Sequence, residues 1–168
     1  MSAITLTPSE QRICRYLAGA RHAAAREAGK VNARKGPQDD AATDLEGIGG
    51  EIAFCKLFGV YPDLSIAARS PEEDKGDCVL PSGAVIDVKT TKYDNGRLLV
   101  ALWKHARNID LYALMVGQMP TYELRGWITP FQVRQKDNII DLGRGPVYAV
   151  EQARLLISES AQKRSVQL

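Results

Sequence analysis

The chain has only three cysteines, Cys14, Cys55 and Cys78, in 168 residues, and no C-x-x-C pair. An odd number at wide spacing argues against a disulfide framework and against a structural zinc site. No apolar run approaches the ~18 residues that a membrane span needs, so no membrane partner is expected. The opening Met1-Ser2-Ala3-Ile4-Thr5 lacks a basic stretch followed by an apolar one, so no secretory signal is expected and a cytoplasmic location is the default. A strong excess of one charge is also missing. Lys and Arg number 22 against 20 Asp and Glu, a net charge of +2, which permits a polyanionic partner without demanding one. The two histidines, His22 and His105, have no evident serine or cysteine partner. The glycines form neither a phosphate-cradling G-x-x-x-x-G-K-[S/T] loop nor a dinucleotide-binding fingerprint. No internal repeat or low-complexity tract is present.

What is present is an ordinary globular composition, 45% hydrophobic and 25% charged. The length suits one domain with an N-terminal helical arm at about 8–35, a core at about 44–135, and a C-terminal helix or tail at about 147–168. Thr7-Pro8-Ser9-Glu10 carries helix-capping chemistry. On a helical wheel Ile13, Leu17, Ala20, Ala24 and Ala28 share one side, and Arg12, Arg15, His22, Arg26 and Lys30 share the other. Residues 36–43 read as a loop. A second helix is expected from Asp44 to Phe58, with Gly59 at its end. Strands are expected at 77–80, 84–92, 98–103, 111–116 and 122–128, with Pro81-Ser82-Gly83 and Asn95-Gly96 as turns. Residues 147–157 read as helical and 162–168 as a loose tail. This order predicts an α+β or α/β fold, a central sheet flanked by helices.

Charge placement is more informative. Alternation along the second strand sends Ile86 and Val88 to a core face and Asp87 and Lys89 to the other. If the connection is three residues long, Leu80 pairs with Ala84 and Asp77 lies opposite Asp87. Facing like charges in a sheet are destabilising. A shared proton, Lys89 on the same face, or a divalent cation would compensate them. A solvated surface hairpin would explain the D-x-K triplet equally simply. A third acid, Glu51, falls inside the apolar stripe Leu45, Ile48, Ile52, Cys55 and Phe58, whereas Glu46 lies on the opposite face. A carboxylate on a core-facing stripe is costly unless paired, protonated or metal-bound. A buried ion pair of Glu51 with Lys89 or an arginine is the alternative without chemistry. Gly47, Gly49 and Gly50 suit a helix start that approaches something closely, or a frayed end.

Gly47-x-x-Gly50-Glu51, then Gly76-Asp77, then Ile86-Asp87-Val88-Lys89-Thr90 resembles the layout of the PD-(D/E)xK nuclease superfamily. The likeness covers roughly residues 44–92, and more loosely the strands out to Phe131. Gly76 stands where that family has a proline. The resemblance implies a restriction-endonuclease-like core, a central mixed sheet flanked by helices, and divalent-metal-dependent hydrolysis of phosphodiester bonds in DNA. It implies Asp77, Asp87 and Glu51 as ligands of Mg²⁺ or Mn²⁺, with the Val88 carbonyl as a further oxygen. Lys89 would assist the attacking water or the phosphorane-like transition state. A metal ion would neutralise charge at the scissile phosphate and acidify the water, and an ammonium beside it should have a lowered pKa. Gln118 is the one candidate for a fourth motif, with a plain strand-end glutamine as the alternative. Phosphate contacts are expected from Lys92, Arg97, Lys104, His105 and Arg107, and from the helical stripe containing Arg26 and Lys30 with Arg34 and Lys35 beyond. Trp103 is a candidate stacking platform or a core residue. A homodimer would supply two sites for two strands. The alternative is a catalytically inactive relative acting as a DNA-binding or assembly module.

Overall fold

A computed structural model describes residues 3–29, 40–67, 75–102, 108–143 and 145–157. In chain order the elements are β1 (Ile4–Thr5), α1 (Pro8–Glu27), α2 (Asp40–Phe58), β2 (Cys78–Val79), β3 (Val85–Thr91), β4 (Leu98–Ala101), β5 (Leu111–Gln118), β6 (Thr121–Ile128), α3 (Pro130–Val133), β7 (Ile139–Asp141) and β8 (Pro146–Val150). The fold is α+β, as expected. Five strands form one mixed sheet in the order β1-β6-β5-β3-β2, with β3 and β5 parallel and the other neighbours antiparallel. A second, antiparallel sheet has the order β4-β8-β7.

The larger sheet is buried on both faces. Along β5, Ala113 and Met115 join Ile86 and Val88 of β3 in a core shared with α1 and α2. Tyr112, Leu114 and Val116 point to the other side and pack with Leu98 and Val100 of β4 and Val150 of β8. The apolar run of β5 follows from this double burial. The helical layer therefore covers one face, and the small sheet, rather than more helix, covers the other. The central sheet is thus flanked by helices, as expected, with its other face closed by strands among the described residues.

Local chemistry explains the element ends. Thr7 and Glu10 form a reciprocal capping box behind Pro8 at the start of α1. Gly59, at φ 64°, closes α2 where its lack of a side chain was expected to. Other boundaries differ. α2 begins at Asp40, a turn earlier than Asp44. Residues 147–157, expected to be helical, form β8 and a single 3-10 turn at Gln152–Arg154. Alternation along β8 buries Val147 and Ala149, Val150 is buried at its end, and pairing with β4 overrides the helical reading. Residues 98–101 of the expected 98–103 strand form β4 and join β8 instead of extending the hairpin sheet, and residue 103 lies outside the described residues. The tail from 158 onward lies outside the described residues.

The α1 stripe is offset from the expected one. Cys14, Leu17 and Ala18 are buried, whereas Ile13 is 46% exposed. With Cys14 in the stripe, the next inward position is Arg21. His22 is not simply solvated, since its Nδ1 lies 3.3 Å from Asp44 Oδ2 on α2.

Candidate active site

The site is built at one edge of the larger sheet. β2 has two residues, and its last pair with β3 is Cys78 opposite Ile86. Leu80 bonds Ala84 across the short connection at 81–83, as a three-residue link predicts, and the ladder ends at Cys78 and Ile86, one residue short of Asp77 and Asp87. The chain turns sharply at Gly76, at φ 69°, where a side chain would be strained and would strike the Ile86 carbonyl. The Asp77 N–H still donates to Ile86 O at 2.8 Å. The Asp77 carboxylate then accepts from the Val88 N–H at 2.6 Å, taking the place of a ladder carbonyl where the strand ends.

Alternation holds along β3. Ile86 and Val88 are buried toward the helices, and Asp87 and Lys89 lie on the opposite face. Asp87 is only 1% exposed, and its Oδ1 accepts from the Lys89 ammonium. Lys89 Nζ also stands 5.8 Å from the centre of the Tyr112 ring. From α2, Glu51 reaches the same edge, and its Oε2 accepts from Arg21 Nη1 at 3.1 Å.

These groups act on one another. Burial pushes the Glu51 carboxyl above its ordinary range. Arg21 and Lys89 pull it back, and Asp87 adds repulsion. Burial pushes Asp77 well above the usual carboxylate range, and the charges of Glu51 and Asp87 push it further, against Lys89 and the Val88 N–H. Three acids (Glu51, Asp77, Asp87) facing two cations (Arg21, Lys89) leave one negative charge in excess when all are ionised. That excess calls for a shared proton or a bound cation. The donor set fits a hard divalent ion, which prefers carboxylate oxygen. Among the described residues, no three His, Cys, Asp or Glu side chains already stand in a metal-holding arrangement. The oxygens are turned instead to Arg21, Lys89 and the Val88 N–H.

Two of the three helix glycines, Gly49 and Gly50, are there for close approach. A β-carbon on Gly50 would collide with the Thr90 side chain, and one on Gly49 with the Tyr122 hydroxyl. Gly47 faces open space, with nothing within 4 Å. Thr90 Oγ1 is buried without a hydrogen-bond partner among the described residues, directly beneath the turn that carries Glu51. Gly50→Val is expected to destabilise the fold by about 2–3 kcal/mol through overpacking. Gly47→Ala should gain up to about 1 kcal/mol from helix propensity. Paired chemical-denaturation curves check both.

Other expected residues are less central. Lys92 is exposed, with Nζ 5.5 Å from the Tyr93 ring centre, directly after β3. Arg97 is engaged by Glu151 at 2.6 Å. Arg26 is exposed near the end of α1. Lys30, Lys104, His105, Arg107, Arg34, Lys35 and Trp103 lie outside the described residues. Gln118 is exposed at the β5–β6 hairpin, paired with Thr121. Tyr112 and Tyr122 are fully buried, as their strand setting predicts.

Two further residues take part. Glu46 does not face solvent. Its Oε2 accepts from the Tyr122 hydroxyl at 3.1 Å and from the Met119 N–H at 3.2 Å, tying α2 to the β5–β6 connection. Arg21 joins from α1, and its only signal in the sequence is its spacing from Cys14, Leu17 and Ala18. The buried Cys55 and Cys78 thiols also join α2 to β2. Their mutual hydrogen bond raises Cys55 and lowers Cys78.

The fold and site thus define an α+β protein with a partly buried acid–lysine group at a sheet edge. Residues 2–164 match a family of unknown function (DUF5843), and the chain belongs to that family. No curated protein and no solved structure matches it. Among the described residues, no helix is long and apolar enough to cross a membrane.

Proposed function

We propose that the protein is a divalent-metal-dependent nuclease acting on DNA. The observation that supports this most is the convergence of Glu51, Asp77, Asp87 and Lys89 in one electrostatic field, from a helix and two adjacent strands. The likeness of their order to the PD-(D/E)xK layout adds to it. Asp77, Asp87 and Glu51 would hold Mg²⁺ or Mn²⁺, with the Val88 carbonyl as a further oxygen. A bound ion would neutralise the scissile phosphate and acidify the attacking water. Lys89 would orient that water and carry positive charge to the developing phosphorane-like centre. Asp87, buried beside it, holds the ammonium in place. Lys92, exposed at the end of the same strand, would bind the DNA backbone. A cytoplasmic setting and a homodimer belong to this reading.

The test is cleavage of linear and circular DNA by the purified protein with Mg²⁺ or Mn²⁺. Cutting that EDTA abolishes and that Asp87→Ala and Lys89→Ala eliminate is the expected result. Full metal-dependent cutting by both variants would overturn the assignment. A second reading, an inactive DNA-binding or assembly module, is favoured by the internal pairing of two of the acids, Glu51 with Arg21 and Asp87 with Lys89. DNA binding without turnover under any divalent ion would decide for it.

A further inference from the structure

Arg21 occupies a position that no part of the proposed chemistry uses. Its guanidinium spends three donor atoms on three different targets. Nη1 donates to Glu51 Oε2 at 3.1 Å, Nη2 to Asp63 O at 2.6 Å, and Nε to Ser65 O at 3.0 Å. The loop it grips is itself fastened to the site, because the Asp63 N–H donates to Asp77 O at 2.9 Å. Asp77 in turn binds the Val88 N–H through its carboxylate. One side chain from α1 therefore links the acid on α2 with the acid at the start of β2.

We propose that Arg21 is a positioning residue that fixes Glu51 and Asp77 relative to each other for divalent-metal binding. The inference rests on the nuclease reading and extends the site to α1 and the 63–65 loop. Its chemistry requires arginine. A planar fork can serve a carboxylate and two carbonyls at once, whereas an ammonium on a single stem is a point charge. Arg21 is 26% exposed and Glu51 18% on the side chain, so water competes only in part for these bonds. Groups that orient metal-binding carboxylates typically change metal affinity by about 10–100-fold when lost.

The test measures Mn²⁺ affinity of the full chain by calorimetry and electron paramagnetic resonance, without DNA. Arg21→Lys keeps the charge and loses the fork. It is expected to bind Mn²⁺ about tenfold or more weakly while melting as a folded protein. Lys56→Met serves as control. It breaks another ion pair between helices, Lys56 with Glu10 at 2.8 Å, away from the site, and should leave the affinity unchanged. On a Glu51→Gln background, where no buried charge is stranded, Arg21→Met should lower the residual affinity several-fold further through Asp63 and Asp77. Wild-type affinity in Arg21→Lys, an equal loss in Lys56→Met, or no further loss in the double variant would each overturn the role of Arg21 while leaving the nuclease reading intact. Absence of Mn²⁺ binding by the wild type would overturn both, and the wild-type arm separates the two failures.

Discussion

Asp87→Asn should abolish Mn²⁺ binding and lower metal-dependent DNA cleavage by at least about 10³-fold, or roughly 4 kcal/mol of transition-state stabilisation. The amide preserves shape but removes the negative charge that both Lys89 and a cation would need. Lys89→Met should separate the two roles. It should cut the rate by about 10²–10⁴-fold, as loss of a proton-handling group does. It should not weaken Mn²⁺ binding, because it removes a cation already resting on Asp87. Isothermal titration with Mn²⁺ and a gel cleavage assay on both variants give the pattern directly. Equal loss of metal affinity in both variants would mean that the pair acts as a structural ion pair.

Asp77→Asn should inactivate the protein and stabilise it. Burial and the neighbouring acids raise the Asp77 carboxyl well above its unfolded value. A carboxyl raised in this way favours the folded state only while it is protonated. As pH rises from the unfolded pKa through the raised folded one, the unfolded chain releases its proton first and stability falls. Above the folded pKa the loss is complete, and below about pH 4, near the unfolded value, it vanishes. Asparagine carries no charge, and its carbonyl can still accept from the Val88 N–H. In EDTA at pH 8 the variant should melt about 5 °C higher, roughly 1–2 kcal/mol for a chain of this size. At pH 4 the two should coincide. With Mn²⁺ the difference should shrink or reverse, since only the wild type gains by mass action. Melting curves across pH, with and without Mn²⁺, test this, and a lower melting temperature for Asp77→Asn at pH 8 in EDTA would contradict it.

Much of the site could be read from local rules. Alternation placed Asp87 and Lys89 together, and the short connection at 81–83 set Cys78 opposite Ile86, one residue short of the two aspartates. The glycines at 49 and 50 marked a helix packed too closely for side chains. Arg21 is harder to read because the apolar stripe through Ile13 and Leu17 omits Cys14. Free cysteine is among the most buried residue types, and counting it moves the inward face by one position. A one-sided helix would leave Glu46 in solvent. α2 instead is buried at positions 48–50 and 52–55, because α1 covers it on one side and the sheet on the other.

The amino-acid order alone determined the α+β class, the capping box of α1, the end of α2 at Gly59 and the register of the hairpin. Each depends on residues within a few positions of one another. Tertiary structure alone decided that β4 leaves for a second sheet, that residues 147–150 pair as a strand, and that Arg21 meets both Glu51 and the loop bound to Asp77. Those outcomes join segments tens of residues apart, and local propensity carries no information about which distant partner a strand edge or a guanidinium will find.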